Sequence, residues 1–269
     1  MTRDPYPMLE KVCRIYTPKK IVGVDLDDPA VWSHPPIEDY RYLSVHWGGG
    51  ANIAGWPIEE PALTLGQKMA VQLGRIRSVL KGWLAYHKSK GMSTIAYCTW
   101  VDILFGRIGR LRGHRFSGGQ WGSINGIAHA LVLVMGFGQK ASRKAWQAVG
   151  LVWFCSGGPQ VVGHRFFNDW SETQTTTSCP GDENSKIIAD EGYIGALGVL
   201  RYRPLGLSSK GRCVKAATLK LAELGYQLRP SRNYGKLAQS VVIDFQINHD
   251  GLIPDGRVGP STWKALARA

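Results

Sequence analysis

Apolar side chains recur every three or four positions at Leu65, Met69, Leu73, Ile76, Leu80 and Leu84, and predict one long helix over 64–88. Thr64 stands where an N-cap belongs, and Gly91 where the helix should end. Ahead of it, RYLSV at 41–45 reads as a strand that leaves through the glycines at 48–50. After it, the β-branched and aromatic stretch 93–103 reads as a second strand, with Gly106 and Gly109 at turns. ALVLVM at 130–135 is a continuous apolar run of the buried-strand kind. A second helix is expected over 140–155, and a third from Glu183, capped by Asp182. Strands alternating with helices predict an α/β domain with a mixed central sheet flanked by helices.

Four glycines, a proline and two serines fall between about 192 and 209, a composition suited to a linker. Beyond it come three short helical patterns, at 210–225, 235–248 and 260–268, separated by turn-rich segments. They predict a small three-helix C-terminal domain. We therefore divide the chain into 1–195 and 205–269. Its 269 residues accommodate both units, and no internal repeat is evident.

Composition narrows the classes. With 44% apolar and 20% charged residues, the chain has the makings of a packed core and not of a disordered polymer. The longest nearly unbroken apolar run, 127–137, contains His129 and is about half of the roughly 20 residues a membrane span requires. The first twenty residues are polar and offer no secretory signal. Cysteines at 13, 98, 155, 179 and 213 are odd in number and scattered, which argues against a disulfide framework and for synthesis in a reducing cytosol. Of the net charge of +13, +8 falls in residues 201–269, where 12 basic residues face 4 acidic ones. A basic module on a milder domain suits a tether to a polyanion, although solubility alone would also explain it.

Three side chains carry candidate metal chemistry. His46 lies where the first strand opens into glycines, His164 follows Gly163 in VVGHRFF, and Cys179 lies in SCPGD. Imidazole and thiolate are preferred ligands of Zn²⁺, and three protein ligands leave a fourth position for a catalytic water. Each also has an ordinary reading, as a hydrogen-bonded histidine or a small buried cysteine. No HExxH occurs, which excludes the helical zinc-protease arrangement.

Taken together, LSVHWGGG, IAYCTWVDILFGRIGR and VGHRFF…TTTSCPGD resemble the phage-lysozyme-type N-acetylmuramoyl-L-alanine amidases, which share a fold with the peptidoglycan-recognition proteins. The resemblance spans about 40–185, and the GH-to-CPG pair is its most specific part. It implies that His46, His164 and Cys179 bind Zn²⁺ and that Tyr97 is an active-site residue. Many members carry Lys two positions before the last ligand, where this chain has Thr177. Others carry a Glu on the strand matching 130–135, which has no acid here. Catalytic roles therefore fall to Tyr97 and Thr177, with Thr177 able to orient water or substrate but not to replace a charge. His114 and Asn125 lie where many members place a substrate-groove His and an Asn, and a structural hydrogen bond is the ordinary alternative for each. His129 reads as a structural histidine at a strand edge.

The stretch VVIDFQINHDGLIPDGRVGPSTWKAL resembles the peptidoglycan-binding type 1 domain. Phe245, Gln246, Gly251, Leu252, Asp255, Gly256, Val258, Gly259, Thr262 and Leu266 follow its pattern in order. The two Asp-Gly pairs are also ordinary turn signals. An EF-hand fails on spacing and lacks the closing Glu.

These resemblances imply a zinc hydrolase that cuts the amide between N-acetylmuramic acid and L-alanine, with a separable wall-binding domain that raises its effective concentration on the polymer. Without a signal sequence, such a chain looks like a phage endolysin. It would be made in the host cytoplasm, reach the wall after a holin opens the membrane, and act as a monomer on peptidoglycan, aided by anionic wall polymers. Two rivals stand beside it. One is a peptidoglycan-binding protein of the same fold that does not cleave, which the presence of Cys179 disfavours. The other is a DNA-binding protein with a basic helix-turn-helix, which leaves the GH-to-CPG pair unexplained; no nucleic-acid partner is expected.

Overall fold

The computed structural model describes residues 4–22, 41–47, 63–91, 95, 97–111, 127–135, 139–168, 179–180, 182, 185–186, 188 and 204–269. The elements, in order, are α1 (Tyr6–Val12), β1 (Ile15–Tyr16), α2 (Pro18–Val22), β2 (Tyr42–Trp47), α3 (Leu65–Ser89), β3 (Thr99–Asp102), β4 (Ile108–Arg110), β5 (Ala128–Val134), α4 (Arg143–Cys155) and β6 (Gln160–Gly163). A 3₁₀ turn (His164–Phe167) follows β6, and the C-terminal helices are α5 (Arg212–Glu223), α6 (Lys236–Ile247) and α7 (Pro260–Arg268). Six strands form one sheet in the order β1-β4-β3-β5-β2-β6. The β3–β4 pair is antiparallel and every other pair parallel, so the sheet is mixed, as expected.

The long helix begins at a complete capping box: Thr64 accepts from the Gln67 backbone N–H, and the Gln67 side chain reaches back to Thr64. Its buried positions Ile76, Leu80 and Leu84 pack with Trp100, Val132 and Val134 on one face of the sheet. Asp102, fully buried, fixes the helix's approach. Its carboxylate accepts from Gln72 Nε2 (2.9 Å), the Leu104 N–H (3.0 Å) and Arg107 Nε (2.7 Å), while Arg107 Nη1 donates to the Met69 carbonyl (2.7 Å). A buried pair anchored on both sides in this way, with only Arg107 Nη2 lacking a partner among the described residues, locks geometry more than it adds stability.

Several expectations shift in detail. The strand expected over 93–103 is regular only at 99–102. Gly109 lies within β4 and not at a turn, because the Trp100 indole packs where a Cβ would stand. Gly106 is a turn glycine as expected, with φ +61°. The strand at 130–135 starts earlier, at Ala128, and so takes in His129. Of the helix expected from 183, residues 182, 185, 186 and 188 are helical, and the rest falls outside the described residues. The pattern gave no notice of α1, β1, α2 or β6, whose two to seven residues are too short for a periodicity to show.

On the opposite face of the sheet, Leu43, Val45, Val101, Leu131 and Leu133 meet α1 and α4. That core continues without a break into α5, α6 and α7. Trp263 of α7 stands edge-on to Phe154 of α4 with ring centroids 4.7 Å apart. Arg212 donates to the carbonyls of Gly106 (2.7 Å) and Lys144 (3.0 Å), and Arg232 to that of Val12 (3.4 Å). Two of the twelve basic residues of the C-terminal region are thus tied into this junction. The described end of the expected linker is also structured, since Leu205 and Val258 exchange both backbone hydrogen bonds.

Candidate metal centre

The ligand triad follows from strand register. β2 and β6 are neighbouring parallel strands with Val45 opposite Gly163, so the next residue of each, His46 and His164, emerges side by side at the same end of the sheet. Their ring centroids are 4.4 Å apart. Cys179 joins them from further along the chain. The Arg165 N–H donates to its carbonyl at 2.8 Å, and Arg165 also pairs with Asp182 at 2.7 Å. Gly163 makes room for the turn, because a Cβ there would fall 2.6 Å from the Pro180 ring. The glycine before the histidine and the proline after the cysteine are therefore two sides of one contact.

One donor atom from each of His46, His164 and Cys179 lies within 4.8 Å of the others, and this is the one such cluster of metal-ligating side chains among the described residues. Burial holds the His46 imidazole well below its usual pKa, assisted by His164 beside it, and lowers His164 to about 4. Both rings are therefore neutral at neutral pH, as ligation requires. A buried nitrogen of His164, Nε2, has no hydrogen-bond partner among the described residues. Burial raises the Cys179 thiol to about 12, against the pull of the Trp47 N–H, 3.3 Å from Sγ, and of the Arg165 charge. Two neutral imidazoles and a thiol that loses its proton on binding form a donor set that fits zinc.

This protonation pattern has a measurable consequence. Between about pH 6 and 9 only the thiol must lose a proton, so zinc affinity should rise about tenfold per pH unit. Chelator-buffered titrations across that range check it; a flat profile would show that the thiol is not a ligand.

Tyr97 stands beside the cluster, its ring 5.3 Å from that of His46. Burial, and next the nearby Cys179, push its phenol above the ordinary range, so it stays a hydrogen-bond donor. Trp83 and His87, one turn apart on α3, contact the Tyr97 ring at 5.7 and 5.8 Å. Sequence reasoning missed both, although they continue the helix face of Ile76, Leu80 and Leu84. Thr177, His114 and Asn125 lie outside the described residues. His129 is on the opposite sheet face, where Nε2 lies 2.8 Å from Thr99 Oγ1, which is 2.6 Å from the Tyr6 hydroxyl. It is a structural histidine of the core.

In the C-terminal module, buried Gln246 explains much of the sequence pattern. Its Nε2, with two hydrogens to give, lies within hydrogen-bond reach of Asp255 Oδ1 (3.2 Å), the Arg257 carbonyl (2.9 Å) and Thr262 Oγ1 (3.1 Å), and its Oε1 accepts from the Gly256 N–H (2.9 Å). Gly251 and Gly256 take positive φ, +79° and +67°, at the two Asp-Gly turns. The Gln, Asp-Gly and Thr positions of the pattern are thus tied together as a loop lock.

Residues 210–266 match the model of the peptidoglycan-binding domain family PG_binding_1. Among solved structures, the chain is similar to bumblebee PGRP-SA, at 17% identity and a TM-score of 0.48 over 66% of this chain and 94% of that one. It is similar to the N-acetylmuramoyl-L-alanine amidase LysC from Clostridium intestinale, at 16% identity and a TM-score of 0.41 over 66% and 98% of the two chains. It is also similar to the Ph2119 endolysin from a Thermus scotoductus bacteriophage, at 17% identity and a TM-score of 0.43 over 67% and 100%. Comparison with curated protein sequences finds no match.

Proposed function

We propose that this chain is a zinc-dependent N-acetylmuramoyl-L-alanine amidase of the endolysin kind, with residues 1–195 as the catalytic unit and 205–269 as the wall-binding unit. The observation that carries this reading is the convergence of His46, His164 and Cys179, from three distant points in the sequence, beside Tyr97. The match of residues 210–266 to a peptidoglycan-binding family supports the choice of polymer. Among the described residues, no helix is long and apolar enough to cross a membrane.

His46, His164 and Cys179 would hold the ion. Bound zinc would supply Lewis acidity, lowering the pKa of water and polarising the scissile carbonyl. Tyr97, which keeps its proton beside His46, would donate to the oxygen on which charge develops as the amide is attacked. The Trp83, His87 and Tyr97 rings hold one another, which limits how far the phenol can swing. Thr177 would orient water or substrate, and His114 and Asn125 would contact the substrate. The basic C-terminal unit would hold the enzyme on peptidoglycan, helped by anionic wall polymers, and make successive encounters intramolecular.

Tyr97→Phe tests the assignment while sparing the ring contacts. The variant should fold, keep about one zinc per chain and lose about 10²–10³ in kcat on soluble muropeptides. Unchanged kcat would move the donor role to another group.

A further inference from the structure

We propose that Ser44 is the positioning residue of the metal centre. It holds His46 in the tautomer that carries its proton on Nε2, so that Nδ1 presents a lone pair to the ion. This rests on the reading of His46 as a ligand, and adds which atom ligates and what fixes it.

Ser44 Oγ lies 3.1 Å from His46 Nε2. The two residues are separated by one position on β2 and therefore share a sheet face. Ser44 is fully buried in a strand otherwise suited to apolar side chains. Opposite it stand Ala130 of β5 and Val162 of β6, neither of which offers a polar side-chain atom. A buried hydroxyl is costly unless it is bonded, and among the described residues the His46 imidazole is the side chain that bonds it. A neutral imidazole has one nitrogen that donates and one that accepts. When Nε2–H donates to Ser44 Oγ, Nδ1 is left as the acceptor for the site shared with His164 and Cys179. Ligating histidines generally need such a partner on the second nitrogen, and its loss typically weakens metal affinity about 10–100-fold. The usual partners are carboxylates or carbonyls. Here the partner is an uncharged hydroxyl built into the same strand two residues earlier.

The test uses the full chain with ¹⁵N-labelled histidine. In the metal-free wild type, long-range ¹H–¹⁵N spectra should show His46 as the Nε2–H tautomer. In Ser44→Ala this preference should collapse into a mixture of tautomers, and zinc affinity, measured by chelator competition, should fall about 10–100-fold. Ser44→Thr, which keeps the hydroxyl, should restore the tautomer and most of the affinity. An Nδ1–H tautomer in the wild type, which no variant is needed to see, would overturn the proposal. So would Ser44→Ala binding zinc as tightly as the wild type. Failure of the wild type itself to bind zinc would overturn the metal reading, and this proposal with it, whereas tight wild-type binding with an indifferent Ser44→Ala overturns only the latter.

Discussion

Cys179→Ser is expected to strip the protein of zinc and of turnover while leaving its fold in place. The thiolate is the one anionic ligand of the set, and a serine hydroxyl does not ionise near neutral pH. The surroundings of the side chain tolerate the exchange. A serine oxygen can still accept from the Trp47 N–H, the Arg165 N–H still meets the residue-179 carbonyl, and the Pro180 ring still packs over Gly163. Zinc content should therefore fall from about one per chain to a small fraction, with the variant melting close to the metal-free wild type, since bound zinc itself stabilises the fold. Turnover should fall further than the 10²–10³-fold typical of losing one oxyanion donor. Metal analysis by mass spectrometry alongside thermal unfolding checks both halves. Full zinc retention in Cys179→Ser and in His46→Ala would contradict the ligand assignment.

Deleting residues 204–269 is expected to cost the catalytic unit stability as well as wall affinity. Composition suggests a module on a flexible tether, but in the structure α5 and α7 lie on α1 and α4, within one continuous core. Removing them uncovers the Phe154 ring that meets Trp263 and empties the donors that satisfy the Gly106 and Lys144 carbonyls. Emptying a buried aromatic site costs about 3–5 kcal/mol. At roughly 2–4 °C per kcal/mol for a unit of this size, the truncated chain should melt at least several degrees lower. The contact lies on the sheet face opposite α3 and the metal centre, so zinc binding and turnover on soluble muropeptides should persist in the folded fraction. Affinity for whole walls should drop with the loss of the binding unit. Trp263→Ala in the full chain should reproduce part of the thermal loss. An unchanged melting temperature in both would contradict a structural role for the module. Wall affinity of the full chain that vanishes at high salt would assign binding to charge, and persistence would assign it to a groove.

The contrast between these two predictions tracks what a sequence can reveal. Long elements with a strong period were legible: α3 to within a residue or so, the cap at Thr64, the buried strand β5 and the three C-terminal helices. That His46, His164 and Cys179 come together was legible through the order of the motifs and the glycine and proline beside them, since Gly163 and Pro180 make the contact that seats His164 next to Cys179. Contacts between distant segments left no local trace. Nothing in the sequence around Arg212 signals that its side chain reaches Gly106, and the period that places Trp83 and His87 on the buried face of α3 does not say that this face meets Tyr97. Ser44 was visible only as a polar interruption in an apolar strand. Gly109 was misplaced because a strand glycine under a tryptophan and a turn glycine look alike without the partner.

The central claim is the bond that is cut. Purified peptidoglycan digested with the zinc-loaded chain, then analysed by mass spectrometry and end-group assay, tests it most directly. The account predicts free L-alanine amino termini, intact stem peptides separated from intact glycan strands, and no new reducing sugars. New reducing ends, cleavage within the stem, or binding without any release of product by the zinc-loaded protein would contradict it.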